Sequence, residues 1–180
     1  DIGVAMGIAG TDVAKGASDM VLADDNFASI VAAVEEGRII YGNIRKFVFF
    51  LLSCNIGEIL VVLVSQLLGW PLPLLAIHLL WLNLVTDSFP ALALGAERGD
   101  PDIMERQPRP RREPIIDRGM LWRIAVQSLA DMAAVLGAFW VAGALGAESG
   151  LERARTIAFS TLVTAELLRA YSCRSDRFSV

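Results

Sequence analysis

Six polar side chains stand inside otherwise apolar stretches of this 180-residue sequence: Asn55, Glu58, Asn83, Thr86, Asp87 and Glu166. Asn55 and Glu58 are three residues apart, so a helix places them on one face. Asn83, Thr86 and Asp87 stand at i, i+3 and i+4, again on one face. The set offers three carboxylates, two amide oxygens and a hydroxyl from three segments. A hard cation such as Ca2+ takes about six to eight oxygen ligands in flexible geometry and fits such a set. No sulfur or imidazole is counted among them, which argues against copper or zinc. Pro90 removes a backbone donor just beyond Asp87. Carbonyls freed where a membrane helix breaks are one means of coordinating cations.

The competing reading is that these groups hydrogen-bond between helices as packing contacts. It serves Asn83 or Thr86 alone. It serves Glu58, Asp87 and Glu166 together poorly, because carboxylates that face one another repel unless cations or protons intervene. No Lys or Arg is expected on their shared faces, so the three acids are expected to exchange protons for the cation. His78 reads as a packed or interfacial histidine, and Cys54, in an apolar run, as a small core residue. Cys54 and Cys173 have neither metal-ligand spacing nor a disulfide framework. Asp131 has no evident partner; Arg123 lies about two helical turns away.

The segments that must position these groups are long and apolar. Hydrophobic residues make up 54% of the chain and mean hydropathy is +0.52, above the roughly 45–50% apolar content of soluble domains. The excess falls in blocks. Four spans are expected, at about 47–68, 74–94, 120–145 and 156–171, the last being short and containing Glu166. A buried amphipathic helix is the alternative for that last one. The uncharged Gly69–Pro73 stretch joins the first two spans as a tight hairpin. Seven arginines lie between Ala96 and Arg123, and the sixteen cationic residues divide fourteen to two between the two sides. The positive-inside rule then puts both termini and the arginine-rich loop in the cytoplasm, with residues 146–155 outside. Six acids interleave with those arginines, which speaks against a nucleic-acid partner.

Residues 1–46 are of a different character. Short apolar runs at Ile2–Met6 and Met20–Leu22 read as buried parallel strands. Thr11 is placed to cap a brief helix through Ser18. Asp24 and Asp25 start a longer helix, and only Gly37 and Gly42 interrupt it before Phe47, so it is expected to run on as a stalk into the first span. Gly3, Gly7 and Gly10 match neither phosphate-loop fingerprint and read as turns. This strand–helix–strand–helix portion is too small to fold alone. The chain opens on Asp1 without an initiating Met or a signal-peptide layout, and is expected to be a segment of a longer protein.

These residues carry a family resemblance that covers essentially the whole chain. DIGVAMGIAGTDVAKGASDMVLADDNFASIVAAVEEGR resembles the end of the phosphorylation domain of P-type cation ATPases, a haloacid-dehalogenase-like fold. LLSCNIGE, LLWLNLVTDSFPALALG and DIMERQPR resemble the fifth and sixth membrane helices and the following cytoplasmic loop of calcium-transporting members. STLVTAELLRAYSCRS is similar to the family's eighth helix. The resemblance to sarcoplasmic-reticulum-type calcium pumps implies that Asn55, Glu58, Asn83, Thr86, Asp87 and Glu166 are calcium ligands. It implies that Asn83 and Asp87 also serve a second site completed by a fourth helix. Three positions depart from the pattern. Ser88 stands where Gly is usual, Arg169 where an Asn is common, and Asp131 is an acid not expected in the seventh helix.

The implied fold is mainly α: a four-span transmembrane bundle preceded by the last α/β portion of a haloacid-dehalogenase-like domain. Residues 1–36 would end the phosphorylation domain, 37–46 form the stalk, and 47–180 form the cation-transport domain. The implied function is Ca2+ translocation with proton counter-transport in an ATP-driven pump of a bacterial plasma membrane. The D-K-T-G and T-G-D-G-x-N-D motifs are not in the chain. No catalytic or cofactor-binding residue is therefore expected here, and ATP and Mg2+ belong to the complete enzyme. The implied partners are the lipid bilayer and the rest of the pump: its actuator and nucleotide domains, first four helices and last two. The alternatives are a pump for Na+, K+, Mg2+ or Mn2+, and a free-standing, non-enzymatic cation-binding membrane protein.

Overall fold

A computed structural model of the chain describes residues 2–110, 114–144 and 150–174. The elements follow in the order β1 (Val4–Met6), α1 (Asp12–Ala17), β2 (Met20–Leu22), α2 (Ala28–Leu67), α3 (Ala76–Trp81), a π-helical turn (Leu82–Thr86), α4 (Ser88–Gly95), α5 (Arg118–Ala144) and α6 (Gly150–Ser172). The molecule is mainly helical. It divides into two compact units, Asp1–Gly42 with Arg98–Gln107, and Asn43–Glu97 with Pro108–Val180.

The first unit holds the expected strand–helix–strand–helix order. β1 and β2 pair in parallel, with Val4 opposite Met20 and Met6 opposite Leu22. The Thr11 side chain caps α1 by accepting from the Ala14 amide at 3.2 Å. Gly7 and Gly10 are turn glycines: a Cβ at Gly7 would strike the Leu22 carbonyl, and one at Gly10 the Met6 carbonyl. The helix expected to open at Asp24 and Asp25 begins later, at Ala28. Asp25 takes a left-handed conformation, φ 51°, and its carboxylate accepts from the amides of Ile8 and Ala9 at 2.8 and 2.7 Å. Asp24 accepts from the Asn26 amide and the Ser29 hydroxyl. These two acids secure the turn before the helix rather than forming its first turn. In the same unit Arg38 donates to the carbonyls of Ile103 and Arg106 at 2.9 and 2.8 Å.

α2 has 40 residues, about 60 Å at about 1.5 Å per residue. That is twice the roughly 30 Å of a bilayer's hydrocarbon core. Among the described residues, three helical stretches are long and apolar enough to cross a membrane: Ala28–Leu67, Ala76–Gly95 and Arg118–Gly143. α6 is long enough but not apolar enough. Its buried residues, Ala154, Ala158, Leu162, Glu166 and Arg169, fall at helical spacing on one face, so its polar groups point inward and lower its hydropathy. The end of the third expected span and residues 146–149 of the expected outer loop lie outside the described residues.

Packing in the second unit relies on small contacts between helices, as membrane bundles do. Gly57 of α2 passes close to Asp131 and Ser128 of α5, and the Ser128 hydroxyl donates to the Ser53 carbonyl at 2.9 Å. Val61, Leu74, Leu82, Val135, Phe139, Ala158 and Leu162 form the main apolar core. Trp70 lies against Phe139, with ring centroids 6.4 Å apart. His78 lies against Phe159 at 5.0 Å. Large apolar side chains such as Ile59, Leu63, Leu84, Leu92 and Leu129 face outward, a distribution suited to contact with lipid.

Candidate cation site

The segment bearing Asn83, Thr86 and Asp87 is not one regular helix. Between α3 and α4 the chain widens to a π-turn, closed by the Asp87 amide donating to the Leu82 carbonyl at 2.8 Å. Such turns recur at functional sites. Pro90 cannot donate to the Thr86 carbonyl, and the next amide, Ala91, goes to Asp87 at 3.0 Å. The Ser88 hydroxyl reaches back to the Asn83 carbonyl at 3.0 Å. The irregularity turns Thr86 and Asp87 inward, at 5% and 1% exposure.

Two groups form around this turn. In the first, the Asn83 amide nitrogen donates to Glu58 Oε2 at 2.9 Å and to the Leu79 carbonyl at 3.0 Å. The other Glu58 oxygen is buried without a hydrogen-bond partner among the described residues. In the second, Asp87 meets Glu166 of α6 and Cys54 of α2, with one ligand atom from each lying within 4.8 Å of the others. Both oxygens of Asp87 and both of Glu166 are buried; those of Glu166 lack hydrogen-bond partners among the described residues, and the Cys54 thiol stands as a weak donor beside Asp87. Glu166 lies within electrostatic range of Asp87 and Glu58. Asn55 is half-buried, and its amide nitrogen donates back to the Leu51 carbonyl of its own helix at 2.8 Å. Thr86 is buried beside Asp87 on the same turn. No described hydrogen bond ties Asn55 or Thr86 to the carboxylates.

Two readings made from sequence need correction. Asp131 is not without a partner: it forms an ion pair with Arg169 across α5 and α6, both residues being buried. Arg169 also donates to Cys54 Sγ at 3.6 Å, so a cation does stand on the face that the acids share. Cys54 is a buried core residue as expected, in one apolar cluster with Phe50, Leu94 and Cys173, and its sulfur also lies beside Asp87 and Glu166. Both signals were present in the spacing. Cys54 and Glu58 are i and i+4, and Glu166 and Arg169 are i and i+3. What the spacing lacks is which helix faces which.

Buried carboxylates without hydrogen-bond donors are costly as anions unless a positive charge is present. The arrangement can hold a cation among oxygens from three elements, with a sulfur at its edge.

Comparison with known proteins bears on the same segments. The chain is 50% identical over 176 residues to a calcium-transporting ATPase of Bacillus subtilis, covering 98% of this chain and 20% of the relative. It is 46% identical over 193 residues to calcium-transporting ATPase 1 of Bacillus cereus, covering 100% and 22%. It is 62% identical over 118 residues to P-type sodium-transporting ATPase4 of Toxoplasma gondii, covering 66% and 9%. The chain thus spans about a fifth or less of the length of these relatives. The family described as "Cation transporting ATPase, C-terminus" matches residues 71–180. That stretch contains the π-turn with Asn83, Thr86 and Asp87, the Asp131–Arg169 pair and Glu166, and on this match the chain belongs to the cation-transporting ATPase C-terminus family.

Proposed function

We propose that this chain is the ion-binding membrane segment of an ATP-driven calcium pump, with Asn55, Glu58, Asn83, Thr86, Asp87 and Glu166 as the ligand set. The observation that carries the reading is the meeting of Asp87 and Glu166 from two elements, with four buried oxygens and, among the described residues, no donor to Glu166. The names of the two Bacillus relatives support Ca2+ as cargo. Protons are the counter-ions, since three acids emptied of cation need positive charge in place. α6 is the fourth span, its charged groups turned inward. Residues 1–36 are the end of a haloacid-dehalogenase-like phosphorylation domain and 37–46 a stalk that carries domain motion to the site. ATP and Mg2+ act on the remainder of the complete pump, which sits in a bacterial plasma membrane with both termini of this segment cytoplasmic. This segment alone hydrolyses no ATP, because phosphoryl transfer needs a nucleophile and metal-binding groups that it does not carry.

The sodium-transporting relative gives a second reading, Na+ as cargo. One experiment separates them. ATPase activity of the full-length parent is titrated with Ca2+, Na+, K+, Mg2+ and Mn2+ at several pH values. Ca2+ is expected to stimulate at the lowest concentration. Asp87→Asn is expected to abolish stimulation, and Glu58→Gln and Glu166→Gln to weaken apparent affinity and flatten its pH dependence. If all three substitutions leave affinity and its pH dependence unchanged, the acids are packing groups and the ion site lies elsewhere.

A further inference from the structure

We infer that the Cys54 thiol is a ligand of this cation site, so that the site also takes thiophilic divalent cations such as Cd2+. The inference rests on the reading above that Asp87 and Glu166 hold a cation. Cys54 is 1% exposed, and its sulfur and one oxygen each from Asp87 and Glu166 lie within 4.8 Å of one another. Donors about 2.3–2.5 Å from one central ion stand at most about 5 Å apart, so the three atoms are close enough to converge on a shared ion.

One carboxylate oxygen each of Asp87 and Glu166 lies near the thiol, and both Glu166 oxygens are buried without a hydrogen-bond partner among the described residues. The charged groups around the sulfur are Asp87, Glu166 and Arg169, with Glu58 beyond them and Asp131 paired to Arg169. Arg169 Nη1 donates to the sulfur at 3.6 Å and so fixes its orientation. Asp131 pairs with Arg169, whose charge also reaches Asp87. Binding forms one sulfur–metal bond and breaks the S–H bond, and the proton leaves as H+. Thiolate ligands favour soft cations over Ca2+, so Cys54 adds selectivity that the oxygen set alone does not have.

The test uses the full-length parent, purified in detergent, with CdCl2 and CaCl2 as probes. Cd2+ is expected to raise a sulfur-to-cadmium charge-transfer absorption in the ultraviolet. Cys54→Ser and Cys54→Ala should remove that signal and weaken Cd2+ binding by about tenfold or more, a larger factor than any loss of Ca2+ affinity. Cys173→Ser, in the same apolar cluster as Cys54, Phe50 and Leu94, should leave the charge-transfer signal in place. The cadmium NMR shift of the unsubstituted pump separates sulfur-containing from all-oxygen coordination without any substitution. An all-oxygen shift, or a charge-transfer signal undiminished in both Cys54 variants, overturns the inference. So does an equal loss of Cd2+ and Ca2+ affinity. A parent that binds no Ca2+ but shows the Cys54-dependent cadmium signal would refute calcium as cargo and leave this inference standing.

Discussion

Arg169 carries a charge into a place closed to water, with 3% of its side chain exposed, and Asp131 meets it there with 6% exposed. Removing one member of a buried pair leaves the other uncompensated, at a cost of about 3–5 kcal/mol, whereas replacing both with apolar groups is often neutral. Asp131→Leu in the full-length parent should therefore lower thermal stability strongly, and Asp131→Leu with Arg169→Met should recover most of the loss. A double variant no more stable than the single one would show that the pair is not the relevant interaction. Asp25, outside the spans, gives a pH prediction. The amides of Ile8 and Ala9 hold its carboxyl below the ordinary value of 3.8, the Ile8 bond being the larger cause. A depressed carboxyl stabilises fully above that ordinary value and loses its contribution as pH falls through the lowered one. Asn tolerates the left-handed backbone at this position, but Asp25→Asn removes the charge together with one of the two accepted bonds, because its amide nitrogen donates where a carboxylate oxygen accepts. Its melting temperature should fall below wild type near neutral pH, and the gap should narrow as pH drops below about 4. A gap independent of pH would assign the effect to shape. At this scale the polar inventory was readable from the sequence, since Glu58, Asp87 and Glu166 stand out in apolar runs. The partners were not: pairing Asp131 with Arg169 needs the facing of two helices thirty-eight positions apart.

α2 was legible because almost nothing interrupts it. Gly37 and Gly42 have open space around them, and a lone glycine in a helix costs only about 1 kcal/mol. α6 was the least legible, since a helix that turns Glu166 and Arg169 inward has the composition of a surface helix and the burial of a core one. The π-turn is a matter of hydrogen-bond register, and Pro90 was its sole hint in the sequence. That hint can be tested at the level of the element. In Pro90→Ala, the restored amide can donate to the Thr86 carbonyl and draw the Leu82–Thr86 turn toward a regular helix. Reopening the turn around a cation would then cost one net hydrogen bond, about 1 kcal/mol, or about fivefold in apparent cation affinity of the parent. Unchanged affinity would mean that the turn is held by its neighbours. The Ser88 hydroxyl bond to the Asn83 carbonyl is one such hold already present.

For the whole molecule the question is which way the segment sits in the bilayer, and the proposed orientation rests on charge. On the proposed four-span topology, fourteen of sixteen cationic residues fall on the side of the termini and the Ala96–Arg123 loop. Arg169 should be discounted, because it is buried against Asp131 and cannot answer to the membrane's electrostatic asymmetry. The remaining thirteen still outweigh Arg153 and Arg155, so the bias survives the correction. Arg155 is itself partly committed, donating to the Leu72 carbonyl at 2.9 Å. That bond ties the start of α6 to the hairpin after α2, so these two parts share one membrane face. Orientation then reduces to one comparison. Arg109 and Glu152 are both exposed and stand on opposite expected sides. Arg109→Cys and Glu152→Cys, made separately in a parent without other reactive thiols, are treated in intact cells with a membrane-impermeant thiol reagent. Glu152→Cys should label, and Arg109→Cys should label only after the cells are opened. The reverse pattern would place the arginine-rich loop outside and invert the pump. Labelling of both in intact cells would mean that α5 does not cross the membrane, because it is the helix that separates the two positions.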